Sequence, residues 1–219
     1  KEMLKSSIHM SQYMHYVIND KHDNIWIAQR EGRAKDSDDR TQESVLKMLN
    51  MGGPTPGKTT AEIIENLRNM NIVPLAISYE YDPCDYLKAK EFQCKRDIPG
   101  WKKAKQDDLD NMKTGIWGKK GHVHYQASAC INDWLDTLDP TAIDKADIYR
   151  LVAEHIDHEI HANYKIYDVN RDALAGKENE YVESRVRMVD VEQPDVPFLR
   201  EKIMTMYANP LRNHEKAVQ

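Results

Sequence analysis

Apolar side chains recur at helical spacing between residues 3 and 19, at Leu4, Ile8, Tyr13, Met14, Val17 and Ile18, and predict a helix there. The short apolar run Asn24-Ile25-Trp26-Ile27-Ala28-Gln29 reads as a buried strand. A charged loop from Arg30 to Arg40 ends it. Helices are predicted over Thr41–Met51, with Val45, Leu46 and Leu49 inward, and from Thr60 to Met70. With Thr60 as cap, Ile63 falls where a capping box would have Glu. Ile72 to Tyr79 carries the strongest strand signal, with Pro74 expected at its start or at an unpaired position because proline has no N–H. After Asp82-Pro83 comes a polar helical stretch holding Tyr86, Leu87 and Phe92, then an alternating strand from His122 to Gln126. A long helix over Pro140–Tyr164 buries Ile148, Leu151, Val152, His155 and Ile156, and a last one over Phe198–Leu211 buries Leu199, Ile203, Met206 and Tyr207.

Strands alternating with helices predict an α/β fold with a mixed sheet flanked by helices. A length of 219 residues suits one domain, 1–167, with a C-terminal helical extension, 168–219, packed on it. Lys and Arg total 31 against 36 Asp and Glu, a net charge of -5, which excludes a strongly basic nucleic-acid binder. Cys84, Cys94 and Cys130 form no C-x-x-C pair, so reduced thiols in a cytoplasmic protein are expected. The longest apolar stretch, Ile72–Ile77, is far short of the roughly 20 residues of a membrane span. No signal-peptide pattern opens the chain, and its first residue is Lys, which suggests a piece of a longer protein.

Four groups of residues have the spacing of known chemistry. Gly52-Gly53-Pro54-Thr55-Pro56-Gly57-Lys58-Thr59 fits the phosphate-binding loop G-x-x-x-x-G-K-[ST]. Its two prolines remove N–H donors the cradle would use, and a helix rather than a strand precedes it, so a Pro/Gly connector between helices is the preferred reading. His155, His158 and His161 lie among Glu154 and Glu159, but steps of three turn the rings around the helix, and solvated or capping histidines are expected rather than a metal site. His15 and Asp20 fit H-x-x-x-x-D, yet about 140° of helix rotation separates them, and a surface His near a helix end is expected. Arg30, Glu31, Gly32, Arg33 and Lys35 follow an apolar strand, where clustered cations and a glycine suit a phosphate.

The run from Trp26 to Asp36 resembles the third block of the glycerophospholipid acyltransferase family, an apolar strand running into Glu-Gly-x-Arg. Ile72-Val73-Pro74-Leu75-Ala76-Ile77 is similar to the family's fourth block, an apolar strand with an internal proline, and His122–Gln126 to the strand that follows it. The family pattern Glu-Gly-x-Arg would put Arg at Ala34, which here is flanked by Arg33 and Lys35. The family's catalytic His-x-x-x-x-Asp block precedes this loop by many tens of residues. His15 lies sixteen before Glu31, so the resemblance implies that this chain is the C-terminal part, with the catalytic pair upstream of Lys1.

The resemblance implies an O-acyltransferase of phospholipid synthesis, moving a fatty acyl group from acyl-CoA or acyl-carrier protein to lysophosphatidic acid or glycerol phosphate. Arg30, Glu31, Gly32, Arg33 and Lys35 would then orient the acceptor phosphate, and Pro74 would shape the pocket. No metal or prosthetic group is required beyond the acyl donor, and the protein would be cytoplasmic, touching the membrane peripherally. The alternatives are a P-loop nucleotide-binding protein using Lys58 and Thr59, and a noncatalytic acyltransferase-like domain.

Overall fold

The computed structural model describes residues 2–30 and 34–219. Among them the chain forms α1 (Glu2–Asn19), α2 (Glu43–Asn50), α3 (Thr60–Arg68), β1 (Leu75–Tyr79), α4 (Asp85–Asp97), α5 (Lys105–Trp117), β2 (Val123–Ala127), α6 (Asn132–Leu135), α7 (Ile148–Ala162), α8 (Asp168–Leu174), α9 (Glu180–Arg187) and α10 (Val196–Ala217). The expectation of a mixed α/β sheet flanked by helices is overturned: helices hold 54% of the residues and strands 5%. The one sheet among the described residues pairs β1 with β2. It is antiparallel, since Glu80 N–H donates to the His122 carbonyl at one end and Ser128 N–H to the Pro74 carbonyl at the other.

The segment 24–29 is not a strand. Trp26 is 78% exposed and Ile27 is exposed too, so its apolar run lacks both the burial and the pairing that a buried strand requires. A run this short cannot be assigned by hydrophobicity alone. Pro74 is buried immediately before β1, where its missing N–H costs no ladder bond. The helix expected from Pro140 begins only at Ile148. Asp139 accepts from Thr141 N–H and Asp144 from Ala146 N–H, both at 2.8 Å, and these local bonds hold the backbone in turns instead. No helix among the described residues is long and apolar enough to cross a membrane.

The chain folds into two compact units that interleave in sequence. The first takes the N-terminal segment, 40–75 and 127–160. Its core includes Leu46, Leu49, Ile63, Leu67, Ile131, Leu135, Ile148 and Val152, all buried. α1 and α2 are joined at the end of α2, where a helix leaves carbonyls unsatisfied. The Leu49 carbonyl there accepts from Ser11 Oγ at 3.0 Å and from His15 Nε2 at 2.9 Å.

The second unit takes 34–39, 76–126 and 161–219. Its spine is α10, whose buried Leu199, Ile203, Met206 and Tyr207 are the four expected from periodicity. They pack with Val169 and Ala173 of α8, Val182 and Val186 of α9 and Ala89 of α4. Asp195 caps α10 by accepting Phe198 N–H at 3.1 Å.

Candidate functional site

Lys35 is placed by the segment 34–39, which is pinned to α10. The Asp36 carbonyl accepts from Asn209 Nδ2 at 2.8 Å, and the Asp38 carboxylate accepts from Asn213 Nδ2 at 3.0 Å. His161 Nε2 contacts the Asp39 carbonyl at 3.3 Å. Ala34, immediately before Lys35, is buried.

From α4, Glu91 projects a carboxylate that is nine-tenths buried and forms an ion pair with Lys35. Lys103 reaches the other oxygen of Glu91 at 3.1 Å and also meets Asp108 at 2.8 Å. Lys95, one turn beyond Glu91, stands within hydrogen-bonding reach of Lys35. Lys35 and Lys103 thus share one buried carboxylate, Lys103 also pairs with Asp108, and Lys95 stands beside Lys35. Partial burial, then the neighbouring Lys95 and Lys103 charges, push the Lys35 ammonium down to about 8. Such a cluster suits a compact dianion, which would relieve the repulsion among the lysines. Lys95 and Lys103 were not marked by the hydrophobic pattern. Their signal is the basic composition of 88–105, and nothing in the periodicity of 85–97 marks Glu91 as buried.

Glu31, Gly32 and Arg33 lie outside the described residues. Arg30, in the first unit, is half-buried, and its Nε has no hydrogen-bond partner among the described residues. Pro74 is buried in the first unit, its carbonyl accepting from Ser128 N–H and Oγ at 3.0 and 3.2 Å.

The Gly52–Thr59 loop connects two helices, and its polar groups are already engaged. Asn66 Oδ1 accepts from Thr55 N–H at 3.0 Å, and Glu62 Oε2 accepts from the N–H groups of Lys58 and Thr59 at 2.6 and 3.1 Å. Thr59, not Thr60, caps α3, and Glu62 completes the capping box. The glycines serve packing: a Cβ on Gly52 would come within 2.3 Å of the Gln12 backbone nitrogen, and one on Gly53 within 2.2 Å of the Asn66 side chain.

The histidines are dispersed. His155 stacks on Trp134 with centroids 3.9 Å apart, and burial lowers its pKa; His158 is exposed and His161 is buried. Among the described residues no three His, Cys, Asp or Glu side chains converge as a metal site. His15 is a buried link from α1 to Leu49, not the expected surface histidine, while Asp20 is exposed just beyond the helix. The two form no carboxylate-oriented base. No protein-family model, curated protein or solved structure matches the chain.

Proposed function

We propose that the chain serves O-acyl transfer in phospholipid synthesis, and that its lysine cluster holds the phosphate of the acceptor, lysophosphatidic acid or glycerol phosphate. The observation that carries this reading is that Lys35 and Lys103 share the buried carboxylate of Glu91 while Lys95 stands beside Lys35. Its position two residues after Arg33, in the stretch that resembles the family's third block, supports the same reading. The acyl group would come from acyl-CoA or acyl-carrier protein at a cytoplasmic membrane surface. In the family reaction a base takes the proton of the acceptor hydroxyl, the oxygen attacks the thioester carbonyl to form the ester, the C–S bond breaks, and the thiolate leaves and regains that proton from the base. The part assigned to the residues described here is acceptor recognition.

The test is calorimetric titration of the full chain with glycerol phosphate and with inorganic phosphate. Lys35→Ala removes a charge-assisted contact worth about 1.5–3 kcal/mol, so affinity should fall by about tenfold or more. Lys58→Ala should leave it unchanged. The pH dependence has a defined sign. A phosphate monoester gains its second charge near pH 6, and Lys35 loses its own as pH rises through about 8. Affinity should therefore peak between these values and decline above about 8, and Lys35→Ala should flatten that decline. Equal affinity in the parent and Lys35→Ala would sink the reading.

A further inference from the structure

Helix α5 turns its apolar side outward. At about 100° per residue, Leu109, Met112, Ile116 and Trp117 fall on one stripe of the helix, together with Lys105 and Lys113. All four apolar side chains are exposed, by 51%, 56%, 65% and 78% in that order. The side facing the protein is small and polar. Asn111 is buried, its carbonyl accepting from Cys84 Sγ at 3.4 Å, and the same Sγ lies 3.7 Å from where a Cβ on Gly115 would sit. An amphipathic helix in a water-soluble unit buries its apolar stripe, so this inversion calls for a partner.

The charges on and around the helix indicate which partner. Between Trp101 and Lys120 there are six lysines and three aspartates. Lys103 is engaged by Glu91 and Asp108, Lys119 lies over the Tyr81 ring, and Lys120 binds the Ile116 and Gly118 carbonyls at the end of α5. Lys102, Lys105 and Lys113 have no ion-pair partner among the described residues. A tryptophan at the helix end beside lysines with long aliphatic stems suits a lipid–water boundary, with rings and stems among acyl chains and ammonium groups at the phosphates. The area argues against a second copy of the chain. Four side chains exposed to this degree offer on the order of 500 Å², short of the roughly 800 Å² each partner buries in a stable complex.

We infer that α5 is the element by which this chain lies on an anionic lipid surface, with Leu109, Met112, Ile116 and Trp117 entering the headgroup boundary. The inference deepens the proposed function and rests on it for the lipid nature of the surface; the outward stripe does not depend on it. The test floats the full chain with vesicles of phosphatidylcholine alone or mixed with phosphatidylglycerol. The parent should float with the mixed vesicles and little with the neutral ones. Ile116→Ser combined with Trp117→Ser should cut vesicle partitioning by about tenfold or more, with melting temperature and phosphate affinity unchanged. Lys35→Ala should float like the parent, so a failure of the phosphate site is read separately from a failure of α5. A parent that does not float, or a double variant that floats as well as the parent, overturns the inference. A parent dimer in sedimentation that the double variant dissolves also overturns it and assigns the stripe to a second copy.

Discussion

Asp85→Ala is expected to cost the protein about 3–5 kcal/mol, because it leaves the half-buried Arg185 without its counter-charge and three further donors without their acceptor. Asp85 is fully buried at the start of α4, where its carboxylate sits at the focus of four donors. Arg185 Nε donates at 2.6 Å and Tyr86 N–H at 2.6 Å to one oxygen, and the hydroxyls of Tyr207 and Tyr181 donate at 2.7 and 3.3 Å to the other. Arg185 is spread further, donating to the Pro83 carbonyl at 2.8 Å and lying over the Tyr86 ring at 4.6 Å. Burial pushes the Asp85 carboxyl up while Arg185 and Tyr207 pull it down, and burial of the Tyr207 hydroxyl beside that charge drives its pKa well above the ordinary tyrosine value. The network ties α4, α9 and α10 of the second unit through one anion. Removing the anion alone strands Arg185, whereas removing both charges strands neither. Urea unfolding of Asp85→Ala, Arg185→Met and the double variant should therefore show the double variant losing less than the sum of the singles. Additive losses, or an Asp85→Ala loss under about 1 kcal/mol, would mean that the pair is not coupled.

What could be read from the sequence was the helices with a single apolar stripe. α1, α2 and α3 fall close to the expected ranges, and α10, though it runs on to Ala217, buries the predicted residues. The strand expected over Ile72–Tyr79 forms from Leu75 on, with Pro74 just before it, because an apolar run and a missing N–H are local properties. The fold class was not. It depended on whether Ile25–Ala28 pairs with another strand, a non-local property that a four-residue apolar run does not encode. α5 escaped for a different reason. Its apolar positions have helical spacing, but they face outward, and only three dimensions distinguish an outward stripe from a core stripe. In the candidate site, Lys35 was visible as part of a charge run, but its partner Glu91 lies more than fifty residues on and became a site residue only through burial.

Asn66→Ala should cost about 2–4 kcal/mol, while Lys58→Ala, in the same phosphate-loop-like segment, should change stability by less than about 0.5 kcal/mol. Asn66 is fully buried on α3, and its amide organises the loop on which the G-x-x-x-x-G-K-T match falls. Its Oδ1 accepts from Thr55 N–H at 3.0 Å and Thr55 Oγ1 at 2.9 Å; its Nδ2 donates to the Asn50 and Thr55 carbonyls at 3.2 and 3.1 Å and to Asn50 Oδ1 at 2.8 Å. Truncation leaves several of these groups without partners in a poorly solvated site, where each costs about 1–3 kcal/mol. Asn66→Asp separates the donor role from volume. It keeps the oxygen facing Thr55 but sets a carboxylate oxygen against two carbonyls, so it should destabilise at least as much as alanine. Circular dichroism reports the transition, and tryptophan fluorescence, to which Trp134 stacked on His155 in the same unit contributes, follows it. If Asn66→Asp melted like the parent, the amide would not be holding the loop. If Lys58→Ala were the more damaging change, the packing account of these glycines and their lysine would be wrong.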